Sequence, residues 1–106
     1  MANVIPSSAL PVLNKTVDAL RFRANADGEI FGGEIMDVMQ ESASSLGVAR
    51  LEVLLIRTVL VRAMESLGEY YPAEVLQNFE SRMRVSYAIK YLQGAIAVAS
   101  QEKAAV

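Results

Sequence analysis

Hydrophobic residues recur at helical spacing along most of the chain, and this pattern predicts an all-α domain. The apolar row of the first helix consists of Leu10, Leu13, Val17 and Leu20. This helix should end before the "NADG" sequence at 25–28, because glycine tolerates the left-handed backbone that ends many helices. A second helix is predicted to begin near Gly33 and to end at Gly47. The "GEIFGG" sequence at 28–33, between these helices, is interpreted as a turn or hinge.

The stretch from 48 to 67 is the most apolar part of the chain, and a projection at 100° per residue divides it into two faces. One face is apolar throughout and is predicted to be core: Val53, Ile56, Val59, Leu60, Ala63, Met64 and Leu67. The other face mixes aliphatic and polar side chains: Arg50, Leu51, Leu54, Leu55, Thr58, Val61, Arg62 and Glu65. This mixed face is too apolar for a purely solvated surface and too charged for a sealed core. We therefore expect another polypeptide to cover it: a second copy, a target protein, or both.

The apolar row of the last predicted helix changes sides partway along. One row contains Leu76, Phe79 and Met83, whereas another begins at Val85 and is rotated well away from the first. Either the helix breaks near 84–86 or one half of it serves a neighbouring chain. An unbroken helix would be about 45 Å long and would overhang a globule whose radius of gyration is about 13 Å. The pattern predicts one domain over 1–106, a small bundle of four to five helices with a long or broken last helix, and flexible ends at 1–7 and 102–106.

Composition removes most catalytic chemistry. The chain has no cysteine and no histidine, so it lacks disulfides, thiolate metal ligands and the commonest general base. No phosphate-binding loop motif is present. We predict a protein that is not an enzyme and that uses no cofactor, metal site or catalytic residue. The charge is nearly balanced, with 10 basic and 12 acidic side chains, which disfavours a general nucleic-acid-coating role.

A cytoplasmic location is expected. The N-terminal sequence lacks a basic segment followed by a long apolar run, as a secretory signal would require. The 48–67 stretch is long enough to cross a bilayer, but it contains five charged residues, each costing about 2.5–3.5 kcal/mol near the bilayer centre.

Three charged or methionine-rich groups suggest alternatives. The acidic residues between 27 and 41 are more typical of a solvated face than of a cation site: Asp27, Glu29, Glu34, Asp37 and Glu41. Arg82, Arg84 and Lys90 are interleaved with Tyr87 and Tyr91, and we interpret the two tyrosines as interface residues rather than as a nucleic-acid stacking platform. A bundle that binds a small apolar ligand among its methionines is a further alternative: Met36, Met39 and Met64.

The corner from Ala43 to Val53 has the spacing of a helix-turn-helix unit, which makes a small DNA-binding regulator an alternative function. The helix after the turn begins with Leu51 and Glu52, however, and these residues are poor readers of a DNA groove. An ordinary helix–glycine–helix corner is favoured, with no direct contact to nucleic acid.

The run "GEIFGGEIMDVMQESASSLGVARLEVLLIRT", the short length and the helical layout resemble the QslA-type family of small bacterial antiactivators, which act on LuxR-type quorum-sensing regulators. The resemblance spans the whole chain, and no short motif carries functional residues across. It implies a homodimeric helical protein that binds the ligand-binding domain of a LuxR-type transcriptional regulator, blocks its dimerisation and so prevents its DNA binding. The residues themselves predict an interaction module whose interface, for self-association or for a target, comprises Arg50, Leu51, Leu54, Leu55, Thr58, Val61, Arg62, Tyr87 and Tyr91.

Overall fold

The computed structural model describes residues 6–23, 25, 27–66 and 80–104, except the side chains of residues 64 and 102–104. The described residues form four helices and two short strands, in the order α1 (Ala9–Arg23), β1 (Glu29–Phe31), α2 (Gly32–Ser45), α3 (Arg50–Ser66), β2 (Arg82–Arg84) and α4 (Val85–Ala104). The chain is therefore an all-α bundle, as the hydrophobic pattern predicted, and it has in addition a small β-ribbon that was not predicted.

The core lies between α4 and the other helices. α4 packs against α1 and against α3, while α2 packs against α1 and, less extensively, α3. The largest fully buried aliphatic side chains come from all four helices: Leu13, Leu20, Ile35, Met39, Ile56, Leu60 and Leu92. The predicted apolar rows of α1 and α3 are thus confirmed as core, except that Leu10 is half-buried and that Met64 and Leu67 lie outside the described side chains.

A two-stranded antiparallel ribbon replaces the turn that was predicted at 28–33. Glu29 pairs with Arg84, Ile30 with Met83 and Phe31 with Arg82. Because side chains alternate along a strand, Ile30 is buried while the residues on either side of it are exposed. The interpretation as a turn is wrong because the partner strand lies about fifty residues further along the chain, outside the reach of any local pattern.

The last helix begins at Val85, at the position where the pattern allowed a break, so the alternative of one unbroken helix is wrong. The earlier apolar row, at Leu76 and Phe79, lies outside the described residues. β2 leads directly into α4 at Val85, and twenty residues of helix span about 30 Å. The longest dimension of the molecule is 38 Å, which exceeds the length of α4. The backbone of 102–104 continues α4, and the flexible ends expected at 1–7 and 102–106 remain a prediction, with residues 1–5, 105 and 106 outside the described part of the chain.

A glycine-terminated turn fixes the corner between α2 and α3. Gly47 has a φ of 73°, a conformation that glycine adopts without strain. The amide of Val48 donates to the carbonyl of Ala43 at 2.9 Å, and the amide of Gly47 donates to the carbonyl of Ser44 at 3.0 Å. These two bonds form a Schellman motif, which satisfies the last carbonyls of α2 and sets the direction of α3.

Candidate functional site: the outer face of α3

α3 presents two faces of opposite character. Val53, Ile56 and Leu60 are among the residues that its inner face buries. On the opposite side Leu51 is 73% exposed and Leu54 is 50% exposed, and neighbouring Leu55 is similar. The α3 outer face is defined here as Arg50, Leu51, Leu54, Leu55, Thr58, Val61 and Arg62. All seven residues are at least partly accessible, so the structure brings them together on one surface.

The apolar side chains of the α3 outer face form a continuous row. Leu51, Leu54, Leu55 and Thr58 are spaced at i, i+3, i+4 and i+7, the spacing of neighbours on one side of a helix. The Thr58 hydroxyl donates to the Leu54 carbonyl at 3.1 Å, so it is already partnered and its methyl group adds to the row. Half-buried Val61 extends the row toward the core. The result is a ridge about 16 Å long that resembles the seam of a helix–helix contact.

Arginines border this ridge. Arg50 is exposed at the first turn of α3, and Arg57 and Arg62 are half-buried further along. Glu52, on the other side of the first turn, accepts a hydrogen bond from the Ser8 hydroxyl at 2.7 Å. That bond connects the start of α1 to the start of α3, and Glu65 lies at the far end of the helix. The border of the ridge is therefore basic along most of its length.

The two predicted interface tyrosines have different environments. Tyr87, near the start of α4, is 51% exposed and remains available for contact. Tyr91 is 7% exposed and belongs to the domain core, which corrects its assignment to an accessible surface. It lies on the side of α4 that also buries Ala88, Leu92 and Ala95. Although Tyr91 is close to the exposed residues Arg84 and Lys90 in the sequence, its own side chain is not exposed to solvent.

The ribbon adds an exposed group that the sequence pattern did not reveal. The guanidinium of Arg82 lies 5.7 Å from the centre of the Phe31 ring and 3.6 Å from the Glu29 carboxylate. Phe31 is 40% exposed. No local pattern indicated this group, because its two strands lie about fifty residues apart in the chain. Phe22, at the end of α1, is 93% exposed, and the sequence pattern did not indicate it either. Each is a single exposed ring, a smaller apolar feature than the ridge of α3.

The acidic residues are dispersed over the surface. Glu41 pairs with Arg23, and Glu29 pairs with Arg82. Glu34 accepts a long hydrogen bond from the Phe31 amide and so supports the start of α2. Within the described part of the chain, no group of three or more acidic, histidine or cysteine residues is arranged to hold a metal ion.

Of the three methionines considered for a small apolar ligand, Met39 is fully buried and Met36 is half-buried against the core. Both side chains therefore contribute to packing between the helices. The side chain of Met64 lies outside the described part of the structure.

None of the described helices combines the length and the apolarity needed to cross a bilayer. Comparison with known proteins gives no match: no family model, curated protein sequence or solved structure matches the chain. The function is therefore inferred from the residues and their placement, above all from the α3 outer face.

Proposed function

We propose that this protein is a non-enzymatic regulator that acts by protein–protein contact. In its specific form, the protein is an antiactivator that binds the ligand-binding domain of a LuxR-type quorum-sensing transcription factor in the cytoplasm. It blocks dimerisation of that factor and so prevents its binding to DNA. The observation that supports the proposal is the row of three exposed leucines on one rigid helix, Leu51, Leu54 and Leu55.

The energetics favour occupation of this surface. Exposed fractions of 73%, 50% and 48% together amount to between one and a half and two whole leucine side chains. Complete burial of one such side chain is worth about 1.5–3 kcal/mol. Covering the α3 outer face would therefore contribute about 2.5–5 kcal/mol before the costs of association. A ligand-binding domain that dimerises exposes its dimer interface while monomeric, and the apolar centre of such an interface is a suitable partner for this ridge.

The experiment mixes the purified chain with a purified LuxR-type regulator and follows the regulator's oligomeric state and its binding to a labelled operator. Wild type should convert the regulator to a heterocomplex and release the DNA. The variant with Leu54→Glu and Leu55→Glu should do neither, while its circular dichroism spectrum stays helical. A matched control with Gln40→Glu and Gln93→Glu adds the same charge at exposed positions of α2 and α4 and should act like wild type. A regulator that keeps its dimer and its DNA in the presence of wild type contradicts the proposal.

The proposal includes self-association of the chain into a homodimer. Sedimentation equilibrium at micromolar concentration should then give about twice the chain mass of 11.5 kDa. A stable dimer of this kind buries on the order of 1,200–2,000 Å² of surface. A single species with the mass of the monomer across that concentration range would contradict the homodimer. It would not contradict the proposed contact with the regulator.

DNA binding is the second candidate, and one observation favours it: the turn at Gly47 places α3 after α2 at a tight corner, with Arg50 exposed at its first turn. The neighbouring positions argue against it. Leu51, a large apolar side chain, is 73% exposed in the first turn of α3, where a DNA-reading helix would carry polar residues. Glu52 would place a negative charge beside the DNA phosphates. Duplex binding that weakens steeply with salt and is lost with Arg50→Gln would favour this candidate over the antiactivator.

A further inference from the structure

We infer that the α3 outer face binds an amphipathic helix whose flanks are acidic, presented by a different protein rather than by a second copy of this chain. This inference rests on the proposed function only in taking α3 as the working interface, and it adds the chemistry of the partner. It is carried by the positions of the arginines relative to the apolar ridge.

The residues of the ridge are arranged like those of one helix in a coiled-coil contact between two helices. In heptad notation, the seam positions a and d are Leu51, Leu54, Thr58 and Val61, and the next a position, at the C-terminal end of α3, is Glu65. The flanking g positions are Arg50 and Arg57, and the flanking e positions are Leu55 and Arg62. In such a seam, the e and g residues decide which helix is accepted as a partner. Here every charged flanking residue is an arginine.

A second copy of α3 is a poor occupant of this seam. In an antiparallel pair, g positions face g positions, so Arg57, near the middle of α3, would lie beside its own copy. In a parallel pair, g positions face e positions five residues further along, so Arg57 would face the second copy of Arg62. In both orientations, arginines of the two copies would lie beside each other when the two apolar ridges pack together. Contacts between like charges destabilise such a pair. A homodimer of this chain would therefore use another surface.

The stability of α3 gives no reason for an arginine at position 50. Arg50 lies in the first turn, where the helix dipole disfavours a cation. Within the described residues, neither Arg50 nor Arg57 takes part in an ion pair, whereas Arg23 and Arg82 do. The whole chain carries a net charge of −2, so the basic border is a local property of this ridge. Acidic flanks on a partner helix would satisfy these arginines and would attract the partner over a distance.

The geometry favours a helix as the partner element. The ridge is straight and about 16 Å long, and its i, i+3, i+4, i+7 spacing matches the ridges and grooves of another helix. A partner helix of about 18 residues would cover it from Leu51 to Arg62 with a turn to spare at each end.

The test uses the full chain and two synthetic peptides of about 18 residues. Both peptides carry leucine at every a and d position, and they differ only in having glutamate or lysine at every e and g position. Binding is measured by fluorescence anisotropy at about 50 mM and about 500 mM salt, because the higher concentration reduces the Debye length to about 4 Å. The variant Arg50→Glu is compared with Lys15→Glu, which makes the same change of charge at an exposed position of α1.

The glutamate peptide should bind at least about fivefold more tightly than the lysine peptide at low salt, and the ratio should shrink at high salt. Arg50→Glu should reduce the ratio by about two- to fivefold, and Lys15→Glu should leave it unchanged. Equal affinities, a preference for lysine, binding of neither peptide, or equal effects of the two variants would each overturn the inference. So would loss of a homodimer in the variant with Leu54→Glu and Leu55→Glu, because the second copy would then occupy this face.

These outcomes separate the inference from the proposed function. If wild type releases a LuxR-type regulator from DNA but shows no preference for the glutamate peptide, the antiactivator stands and the partner chemistry is wrong. If the peptide preference holds but no such regulator responds, the ridge serves an acidic helix of another protein.

Discussion

Leu55 and Ile56 are adjacent in α3, and truncating each to alanine tests the exposure on which the candidate site depends. Ile56 is fully buried, and replacing a core isoleucine by alanine costs about 2–5 kcal/mol because it leaves a cavity. Leu55 is 48% exposed, so only about half of a burial worth about 1.5–3 kcal/mol is lost, and no enclosed cavity forms. Alanine is also the better helix former, which offsets part of that loss. We expect Leu55→Ala to lower the free energy of unfolding by about 1 kcal/mol or less.

The assay is urea unfolding followed by circular dichroism at two protein concentrations, with the slope against urea compared between variants. Ile56→Ala should lower the unfolding free energy by at least about 1 kcal/mol more than Leu55→Ala does. Equal losses would refute the reasoning, because Leu55 would then be buried in solution. If the equal loss disappears on dilution, a second copy covers Leu55. If it persists, another part of the chain covers it.

Three further predictions concern the turn before α3, the first turn of α3 and its apolar ridge. Arg50→Glu should raise the unfolding free energy by about 0.3–1 kcal/mol, because it places a negative charge at the helix N-terminus; a lower melting temperature would contradict this. Gly47→Ala should lower the unfolding free energy by about 1–2 kcal/mol, because alanine is strained at the positive φ of this position, while nothing lies within 4 Å of an added Cβ. Gly47→Asn should lower the unfolding free energy by less in the same melts, because asparagine adopts this conformation more readily. Leu51→Ala should weaken binding to the regulator by about 1–2 kcal/mol in a titration while leaving the melting curve nearly unchanged; unaltered affinity would remove Leu51 from the interface.

The inner faces of the helices could be predicted from the sequence because they depend on local periodicity. The apolar row of α3 repeats every three or four residues, and the structure buries Val53, Ile56 and Leu60 as that repeat requires. The end of α2 was equally local, since Gly47 is the residue that adopts the left-handed backbone there. The uneven polarity of α3 also predicted an exposed leucine ridge from the sequence alone.

The ribbon could not be predicted in the same way. Each strand has only three residues, and each pairs with a segment far away along the chain. A sequence pattern of three residues does not distinguish a strand from a turn, and the glycines around Ile30 favoured the turn. Pairing decides the structure here, through the Ile30–Met83 contact and the core that it covers.

The two tyrosines show that the residue types nearby in the sequence do not predict whether a side chain is buried. Tyr87 and Tyr91 are four residues apart and share one side of α4, and both stand among cations in the sequence. Burial separates them because Tyr91 lies further from the ribbon, beside Leu92, where α4 packs against the bundle. Which residues of a helix face reach solvent depends on the neighbouring helices, and the sequence does not specify these at single-residue precision.

The division of α3 into two faces has a consequence for how a partner is bound. The inner face is held by the core, and the start of the helix is fixed by the turn at Gly47 and by the Ser8–Glu52 hydrogen bond. The outer leucines are therefore presented on a backbone that is already ordered, so a partner has little of this chain left to immobilise. Affinity at this surface should depend on the side chains of the ridge and on the sign of the charges beside it. Substitutions on the outer face should then change binding without unfolding the domain, whereas substitutions one residue away, on the inner face, should unfold it first.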